Sequence, residues 1–182
     1  IPVLQAQIDF SNAHQDKNMT AIRVDEGSIN VDGKLDEVAW DLAEPATGFV
    51  QSEPHSGQPA TERTEVRILY DNNNLYVGAW CFDSGGREGL IITDISRDFY
   101  TLDTDVIQVI FDTFNDDRNG MGFATNPMGS RRDIQVGADG DSMNRNWDGF
   151  WYVKTSITDE GWEAEFSIPF KTLRFRDNEN QS

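Results

Sequence analysis

The sequence contains one cysteine and two histidines, and it lacks any run of about 18 apolar residues. A single cysteine, Cys81, excludes an internal disulfide framework, and its inward-facing strand position predicts a buried free thiol. Without a long apolar run, no segment of these residues is predicted to span a bilayer as a helix. His14 lies in a loose N-terminal stretch and His55 in a Pro/Gly loop, so neither belongs to a recognisable zinc or catalytic motif.

Positive charge is scarce as well. The 15 Lys and Arg residues are outnumbered by 32 Asp and Glu residues, which gives a formal net charge of −17. Nucleic acids and anionic membrane surfaces are bound through basic patches, so cations and neutral polar ligands are the better expected partners. Carboxylate pairs arise readily among so many acids and single out no glycosidase dyad, so the chain is predicted not to be an enzyme.

Apolar and polar residues alternate with the period of two that is typical of β-strands. Residues 66–70 and 75–82 are predicted to form a hairpin around the turn 71–74, with the second strand buried. Further strands are predicted at 106–111, 151–157 and 162–168. Many short strands at this spacing favour an all-β fold, an antiparallel β-sandwich of immunoglobulin-like or jelly-roll-like type.

Helical segments are predicted to be short and few. Residues 169–173 are expected to form one turn. Residues 35–42 are expected to form two turns with a shared apolar face of Leu35, Val38, Ala39 and Leu42. Residues 1–27 show no periodicity and are interpreted as an extended lead-in to a single domain at 28–182.

Aspartates mark the ends of several apolar runs. Asp32, Asp36, Asp83 and Asp105 each flank a predicted strand or the short helix. Short carboxylates at such positions satisfy turn backbone, or they converge as hard oxygen ligands for Ca²⁺. No contiguous EF-hand loop is present, so spacing alone leaves both interpretations open.

Aromatic residues near polar loops are candidates for a carbohydrate site, because flat rings stack on the apolar faces of sugars. Phe99, Tyr100 and Trp147 lie in such a context. Phe150 and Trp151 point to opposite faces of a predicted strand, so one of them is expected in the core.

Two adjacent arginines, Arg131 and Arg132, follow the polar segment 126–130. Guanidinium groups bind carboxylates, phosphates or sugar hydroxyls. In so acidic a protein, an ion-pair network that includes Arg97 is an equally good interpretation of these residues.

Several segments together resemble family 9 carbohydrate-binding modules. Residues 31–40, V-D-G-K-L-D-E-V-A-W, resemble the opening motif of that family, and 66–83 resemble its central hairpin. Residues 105–112 look like the next strand, and 161–175 like a late strand and turn. The segments F-A-T-N-P-M-G-S-R-R-D and N-W-D-G-F-W-Y-V-K-T-S-I-T-D-E-G-W are similar to a subgroup found at the N-terminus of large bacterial surface proteins, ahead of an outer-membrane β-barrel region.

The resemblance implies a β-sandwich with structural Ca²⁺. Asp32, Asp36 and Asp83 fall where the family has calcium-site acids, and Asp105 falls at the aspartate that begins the next strand. These four residues are therefore the expected calcium ligands.

The resemblance also implies a sugar site between two aromatic rings. Gln108 matches a sugar-contacting acidic position as an amide, and one clamp aromatic falls near Phe99 and Tyr100. The arginine expected two residues before Asn126 is replaced by Ala124. The second clamp tryptophan belongs to final strands that 28–182 is expected to lack.

These observations predict a non-catalytic carbohydrate-binding module that is stabilised by calcium. It is expected to be part of a larger extracytoplasmic or outer-membrane bacterial protein, with an oligosaccharide or polysaccharide and the rest of the parent protein as partners. The expected sugar contacts are Trp147, Tyr100, Phe99, Gln108, Asn126, Arg131 and Arg132. The alternative is a structural or protein-interaction domain that keeps the fold without the sugar site.

Overall fold

The strands of this chain pair into two sheets. The computed structural model describes residues 19–116, 118–137 and 142–173, so the first 18 residues of the predicted lead-in lie outside the described part. The strands are β1 (Ile22–Arg23), β2 (Thr64–Tyr70), β3 (Asn74–Phe82), β4 (Ile107–Phe111), β5 (Gly120–Thr125), β6 (Arg131–Gly137), β7 (Ser142–Asn144), β8 (Tyr152–Thr158) and β9 (Gly161–Pro169). The predicted all-β sandwich is confirmed.

The first sheet has the strand order β1-β2-β3-β9-β8, and only the short β1–β2 pair is parallel. The β2–β3 hairpin confirms the predicted one. Its turn is closed by Asp71, whose Oδ1 accepts the N–H groups of Asn73 and Asn74 at 2.7 and 2.8 Å. This aspartate is a turn former, as short side chains that bond the backbone two residues on commonly are.

The second sheet has the order β4-β5-β6-β7, and all of its pairs are antiparallel. A core of apolar side chains fills the space between the two sheets. Trp151 stacks on Phe166 with ring centroids 5.8 Å apart, and Phe123 meets Trp151 edge to face at 5.3 Å. Phe150, the neighbour of Trp151, is 54% exposed, which confirms that the two rings point to opposite faces.

A second apolar layer lies on the outer face of the first sheet. Residues 29–43 cross this face, and Trp40 is 1% exposed there. The crossing is close because β3 has a glycine below it: a Cβ on Gly78 would lie 2.9 Å from both Leu35 Cδ2 and the Trp40 ring. The burial of Trp40 is thus explained by a strand position without a side chain.

The predicted two-turn helix at 35–42 is wrong. Only a 3₁₀ helix, Val38–Leu42, forms there, while α1 (Phe170–Leu173) confirms the predicted single turn at 169–173. Val38 is 81% exposed and Leu42 61% exposed, so only Leu35 and Ala39 of the expected apolar face pack against the sheet. Trp40 is buried in their place, because the tighter 3₁₀ winding turns a different face toward the sheet.

Cys81 lies in β3 and packs against the core, and burial raises the pKa of its thiol to about 12. The thiol therefore stays protonated and unreactive near neutral pH, in agreement with its predicted position in a strand. Among the described residues, no helix is long and apolar enough to cross a membrane.

Candidate functional site

The outer face of the second sheet brings two of the predicted sugar contacts into one row. Gln108 in β4 pairs with Ala124 in β5, and Ala124 pairs with Arg132 in β6. The side chains of directly paired residues lie on the same face of a sheet. With a strand spacing of about 4.8 Å, Gln108 and Arg132 lie roughly 10 Å apart across the alanine. We call this row the β4–β6 face.

Small residues in the middle strand shape the β4–β6 face. Next to Ala124, Gly122 lies below the side chains of Ile110 and Ile134, and a Cβ on it would approach Ile134 Cγ1 to 2.7 Å. Ile110 is 55% exposed. The exposed amide of Gln108, the guanidinium group of Arg132 and the exposed side chain of Ile110 therefore lie on one face, where the middle strand contributes only glycine and alanine.

A loop that is closed at its two ends borders this face. Ile91 N–H donates to Asp105 Oδ2 at 2.8 Å, and Asp105 N–H donates to the Ile91 carbonyl at 2.7 Å. Thr104 adds a hydroxyl bond to the same carbonyl at 3.0 Å. Residues 91–105 thus form a compact loop with adjacent ends, an arrangement that frequently has a functional role.

The loop 91–105 is fixed to the second sheet by three bonds. Arg132 Nη1 donates to the Phe99 carbonyl at 2.9 Å, and Asp98 N–H donates to the Arg131 carbonyl at 2.9 Å. Asn126 Nδ2 donates to the Asp94 carbonyl at 2.7 Å. The loop is therefore held at the strand end that carries the half-buried Arg132.

These anchors place two neighbouring aromatic side chains differently. Phe99 is 1% exposed, so its ring offers no face to a ligand and its selection as a sugar contact is corrected. Tyr100 is 55% exposed and directly follows the residue whose carbonyl Arg132 binds. Tyr100 is thus the aromatic that remains available beside the β4–β6 face.

A buried ion pair fixes the same loop from the inner side. Asp133 is 0% exposed, and it accepts a bond from Arg97 Nη2 at 2.9 Å and another from the Gly149 N–H. Arg97 also pairs with the exposed Asp148. Burial raises the pKa of Asp133, while the bond from Gly149 and the charge of Arg97 oppose that shift. Asp133 thereby joins loop 91–105 to the loop that contains Trp147.

Three further predicted sugar contacts have structural roles. Asn126 is 0% exposed, and its Oδ1 accepts the N–H groups of Met128 and Ser130. Arg131 donates to the Trp151 carbonyl at 2.8 Å, on the inner side of β6. Trp147 is half-buried and packs edge to face on Phe123 with centroids 5.8 Å apart. All three residues stabilise the sandwich, because their polar groups or rings are already in contact with protein.

Two of the four predicted calcium ligands share a second site. Asp83 and Asp105 line a cavity of about 150 Å³ at one end of the sandwich, together with Glu62. Burial raises the pKa of Asp105, and the negative charge of Asp83 raises it further. Oxygen donors that repel one another suit a hard cation such as Ca²⁺. Among the described residues, however, no three acidic, His or Cys groups are arranged to hold a metal ion.

Asp32 and Asp36 do not join this pair, so the expected meeting of all four aspartates at one edge is corrected. Asp83 follows the end of β3, where Phe82 pairs with Gly161. Asp32 N–H is bound by Glu165, four residues farther along β9, which corresponds to about 13 Å. The Asp32 carboxylate accepts the N–H of Lys34, and Asp36 is exposed.

A buried glutamate below Asp32 was not found from the sequence. Glu165 is 0% exposed, and its Oε2 accepts the N–H groups of Asp32 and Gly33 at 2.9 and 3.0 Å. Gly33 has φ +95°, and a Cβ on it would lie 2.8 Å from the Thr155 backbone, so only glycine fits this close turn. The strict alternation of β9 places Glu165 on the polar face, which residues 29–43 then cover.

The buried Glu165 predicts a pH dependence of stability. Burial and the charge of Glu37 raise its pKa from 4.5 to about 7. The folded state therefore binds an extra proton between these values, so the free energy of unfolding decreases as pH rises through this window. We expect a decrease of roughly 2–3 kcal/mol, which Glu165→Gln removes. Urea unfolding from pH 4 to pH 8 measures it, with the exposed Glu160→Gln as control. If the free energy of unfolding of Glu165→Gln falls with pH as steeply as that of the parent protein, then Glu165 is not the titrating group.

Comparisons with known proteins support the architecture. No protein-family profile and no curated protein matches the sequence. A family 9 carbohydrate-binding module from Caldicellulosiruptor kristjanssonii, solved with cellotriose, is 18% identical with a TM-score of 0.58, over 86% of this chain and 70% of that chain. The glucose complex of a family 9 module from the same organism is 17% identical with a TM-score of 0.57, over 87% of this chain and 73% of that chain. A Bacteroides uniformis protein for which carbohydrate binding is proposed is 12% identical with a TM-score of 0.60, over 84% of this chain and 75% of that chain.

These similarities confirm that the domain has a family-9-like fold, as the sequence motifs indicated. At such low identities they establish the fold and not the ligand, because one fold accommodates many functions. The position within a larger surface protein remains a prediction.

Proposed function

We propose that this domain is a non-catalytic carbohydrate-binding module whose site is the β4–β6 face. The observation that carries the proposal is the row of Gln108, Ala124 and Arg132, bordered by an anchored loop with an exposed Tyr100. Solved structures of similar fold hold cellotriose and glucose, which supports a β-linked glucan or a related neutral saccharide as the ligand class.

The chemistry of the face suits a sugar. Gln108 supplies both a hydrogen-bond donor and an acceptor, and Arg132 keeps N–H groups besides the one that binds the Phe99 carbonyl. Tyr100 and Ile110 provide apolar surface for the C–H face of a pyranose. The guanidinium of Arg132 stands directly opposite Ala124, so a positive group is present beside the position where the family resemblance leads one to expect arginine.

Calorimetric titration with glucose, cellobiose and cellotriose tests this proposal. We expect saturable binding that Arg132→Ala and Tyr100→Ala each weaken about tenfold, because each change removes roughly 1–2 kcal/mol of hydrogen bonding or stacking. Tyr152→Ala is the matched control, since this tyrosine is 51% exposed on the other sheet. No heat with any of these sugars, from a protein that unfolds cooperatively, would contradict the proposal.

A structural or protein-interaction role is the competing function. It is favoured by one observation: Phe99, Asn126, Arg131 and Trp147 bind or pack against protein rather than an open groove. This alternative predicts that the three sugars do not bind, and that Arg132→Ala weakens the attachment of loop 91–105 and nothing else.

We further propose that Ca²⁺ binds between Asp83 and Asp105. Two observations support it: the two carboxylates share a cavity, and the charge of one raises the pKa of the other, which a cation would relieve. Gly89 leaves room for Asp83, because a Cβ there would lie 1.9 Å from Oδ1. An extracytoplasmic location in a bacterium, as part of an outer-membrane protein, is likewise proposed, and its support is the sequence resemblance alone.

A further inference from the structure

A second cavity lies on the other sheet, away from the β4–β6 face. It measures about 280 Å³ and is formed where β3 ends and β9 begins, beside the turn that follows β8. Its walls include the rings of Trp80 and Phe82, the carboxylates of Glu160 and Glu163, and Thr158. Ligand pockets start at about 300 Å³, so this one has the size for a single ring rather than for a chain.

The aromatic rings of the cavity are rigidly supported. Trp80 contacts Trp40 edge to face with centroids 6.2 Å apart. Arg67 lies 4.7 Å from the Trp80 ring centroid and Arg63 lies 4.4 Å from that of Phe82. Both arginines pair with Glu65, which holds their guanidinium groups in place against the rings and balances one of their two charges. The rings are therefore fixed surfaces that do not have to be ordered by a ligand.

The carboxylates of the cavity, unlike that of Glu65, form no ion pair with a basic side chain of the described residues. Glu163 uses Oε2 to accept the Leu35 N–H at 3.2 Å. Within the described part of the chain, neither Glu160 nor Glu163 has a basic side chain within salt-bridge distance. The two rings already contact the guanidinium groups of Arg63 and Arg67, so the attraction for a further cation comes from the two carboxylates, and the net charge of −17 adds to it.

We propose that the cavity beside Trp80 binds one residue of an amino sugar, that is, a pyranose with a protonated amine. The ring would lie against Trp80 or Phe82, its ammonium group would bond to Glu160 and Glu163, and a hydroxyl would meet Thr158. A neutral hexose can pack against the aromatic rings, but it leaves the negative charges of both carboxylates uncompensated. A bare metal ion satisfies the carboxylates but leaves the rings unused. The amino sugar uses both parts of the wall.

The experiment compares two β-1,4-linked trimers that differ in the group on the second ring carbon: the fully deacetylated glucosamine trimer and cellotriose. We expect the glucosamine trimer to bind at least tenfold more tightly at about 50 mM salt. This preference should shrink severalfold at about 0.5 M salt, where charges are screened within a few ångströms. Calorimetry with both trimers measures the ratio of the two dissociation constants.

Substitutions test which residues cause the preference for the glucosamine trimer over cellotriose. Glu160→Gln lies in an exposed turn and should fold, and Glu163→Gln keeps an oxygen that can accept the Leu35 N–H. The double variant Glu160→Gln/Glu163→Gln should bind both trimers equally, whereas Glu44→Gln, which removes one exposed charge elsewhere, should keep the preference. The paired change Gln108→Ala/Arg132→Ala should leave the affinity for the glucosamine trimer unchanged.

Two results would overturn this inference: equal affinity of the parent protein for both trimers, or a preference that survives in Glu160→Gln and in the double variant. Neither result bears on the β4–β6 face. Weaker cellotriose binding in Arg132→Ala with an unchanged affinity for the glucosamine trimer would show that the two sites are separate.

Discussion

Replacing Asp133 with alanine is expected to lower the free energy of unfolding by roughly 2–4 kcal/mol and to weaken sugar binding at the same time. The side chain is wholly buried, and its removal leaves the Gly149 N–H without that acceptor and Arg97 with only its two exposed partners, Asp98 and Asp148. Arg97 belongs to the loop that presents Tyr100, so loosening it should cost affinity as well as stability. Urea unfolding and calorimetric titration with cellotriose measure the two effects.

The matched control is Asp148→Ala. Asp148 binds the same guanidinium group, but its side chain is 76% exposed, so its loss should change stability by at most about 0.5 kcal/mol. If Asp133→Ala and Asp148→Ala behave alike, then the buried pair is not what fixes the two loops. If Asp133→Ala loses stability without losing affinity, then the loop has no role in binding.

Removal of calcium is expected to have the second large effect. A cation held at about 100 times its dissociation constant stabilises the folded state by about 3 kcal/mol, which corresponds to roughly 6–12 °C in Tm for a domain of this size. The stabilisation should vanish in excess EDTA, and Asp83→Asn or Asp105→Asn should abolish the response. Thermal unfolding with calcium and with the chelator measures it.

Asp36→Asn is the control for calcium. Asp36 was expected from the sequence to be a ligand, but it is exposed and is not among the residues that line the cavity of Asp83 and Asp105. It should therefore leave the response to EDTA unchanged. An unchanged Tm in EDTA for the parent protein would refute calcium binding, and a lost response in Asp36→Asn would mean that the ligand set has been assigned wrongly.

The sequence indicates strands best where local patterns decide them. The hairpin of β2 and β3 could be predicted because Asp71 and the following asparagines form a turn between two apolar runs. β5 could not, since Gly120–Thr125 contains two glycines and is buried throughout. Such a strand has neither alternation nor a polar face, and its partners are set by tertiary contacts.

Tertiary contacts that the sequence does not reveal also explain why some site residues were predicted wrongly. The family resemblance identified Gln108 and guanidinium chemistry identified Arg132, but only the pairing register across Ala124 shows that they share a face. Trp147 was favoured because its neighbours are polar, yet its ring closes the core against Phe123. The burial of Glu165 could not be predicted, because the segment that covers it comes from more than 120 residues earlier in the chain.

Nuclear magnetic resonance of the ¹⁵N-labelled domain during titration with cellotriose tests the central claim most directly. We predict that the largest chemical-shift changes occur at the side-chain amide of Gln108, the guanidinium N–H of Arg132 and the backbone of Tyr100, while β8 and β9 stay unchanged. An unchanged spectrum at saturating sugar, or changes that leave all three residues unaffected, would contradict the assignment of the β4–β6 face as a carbohydrate site.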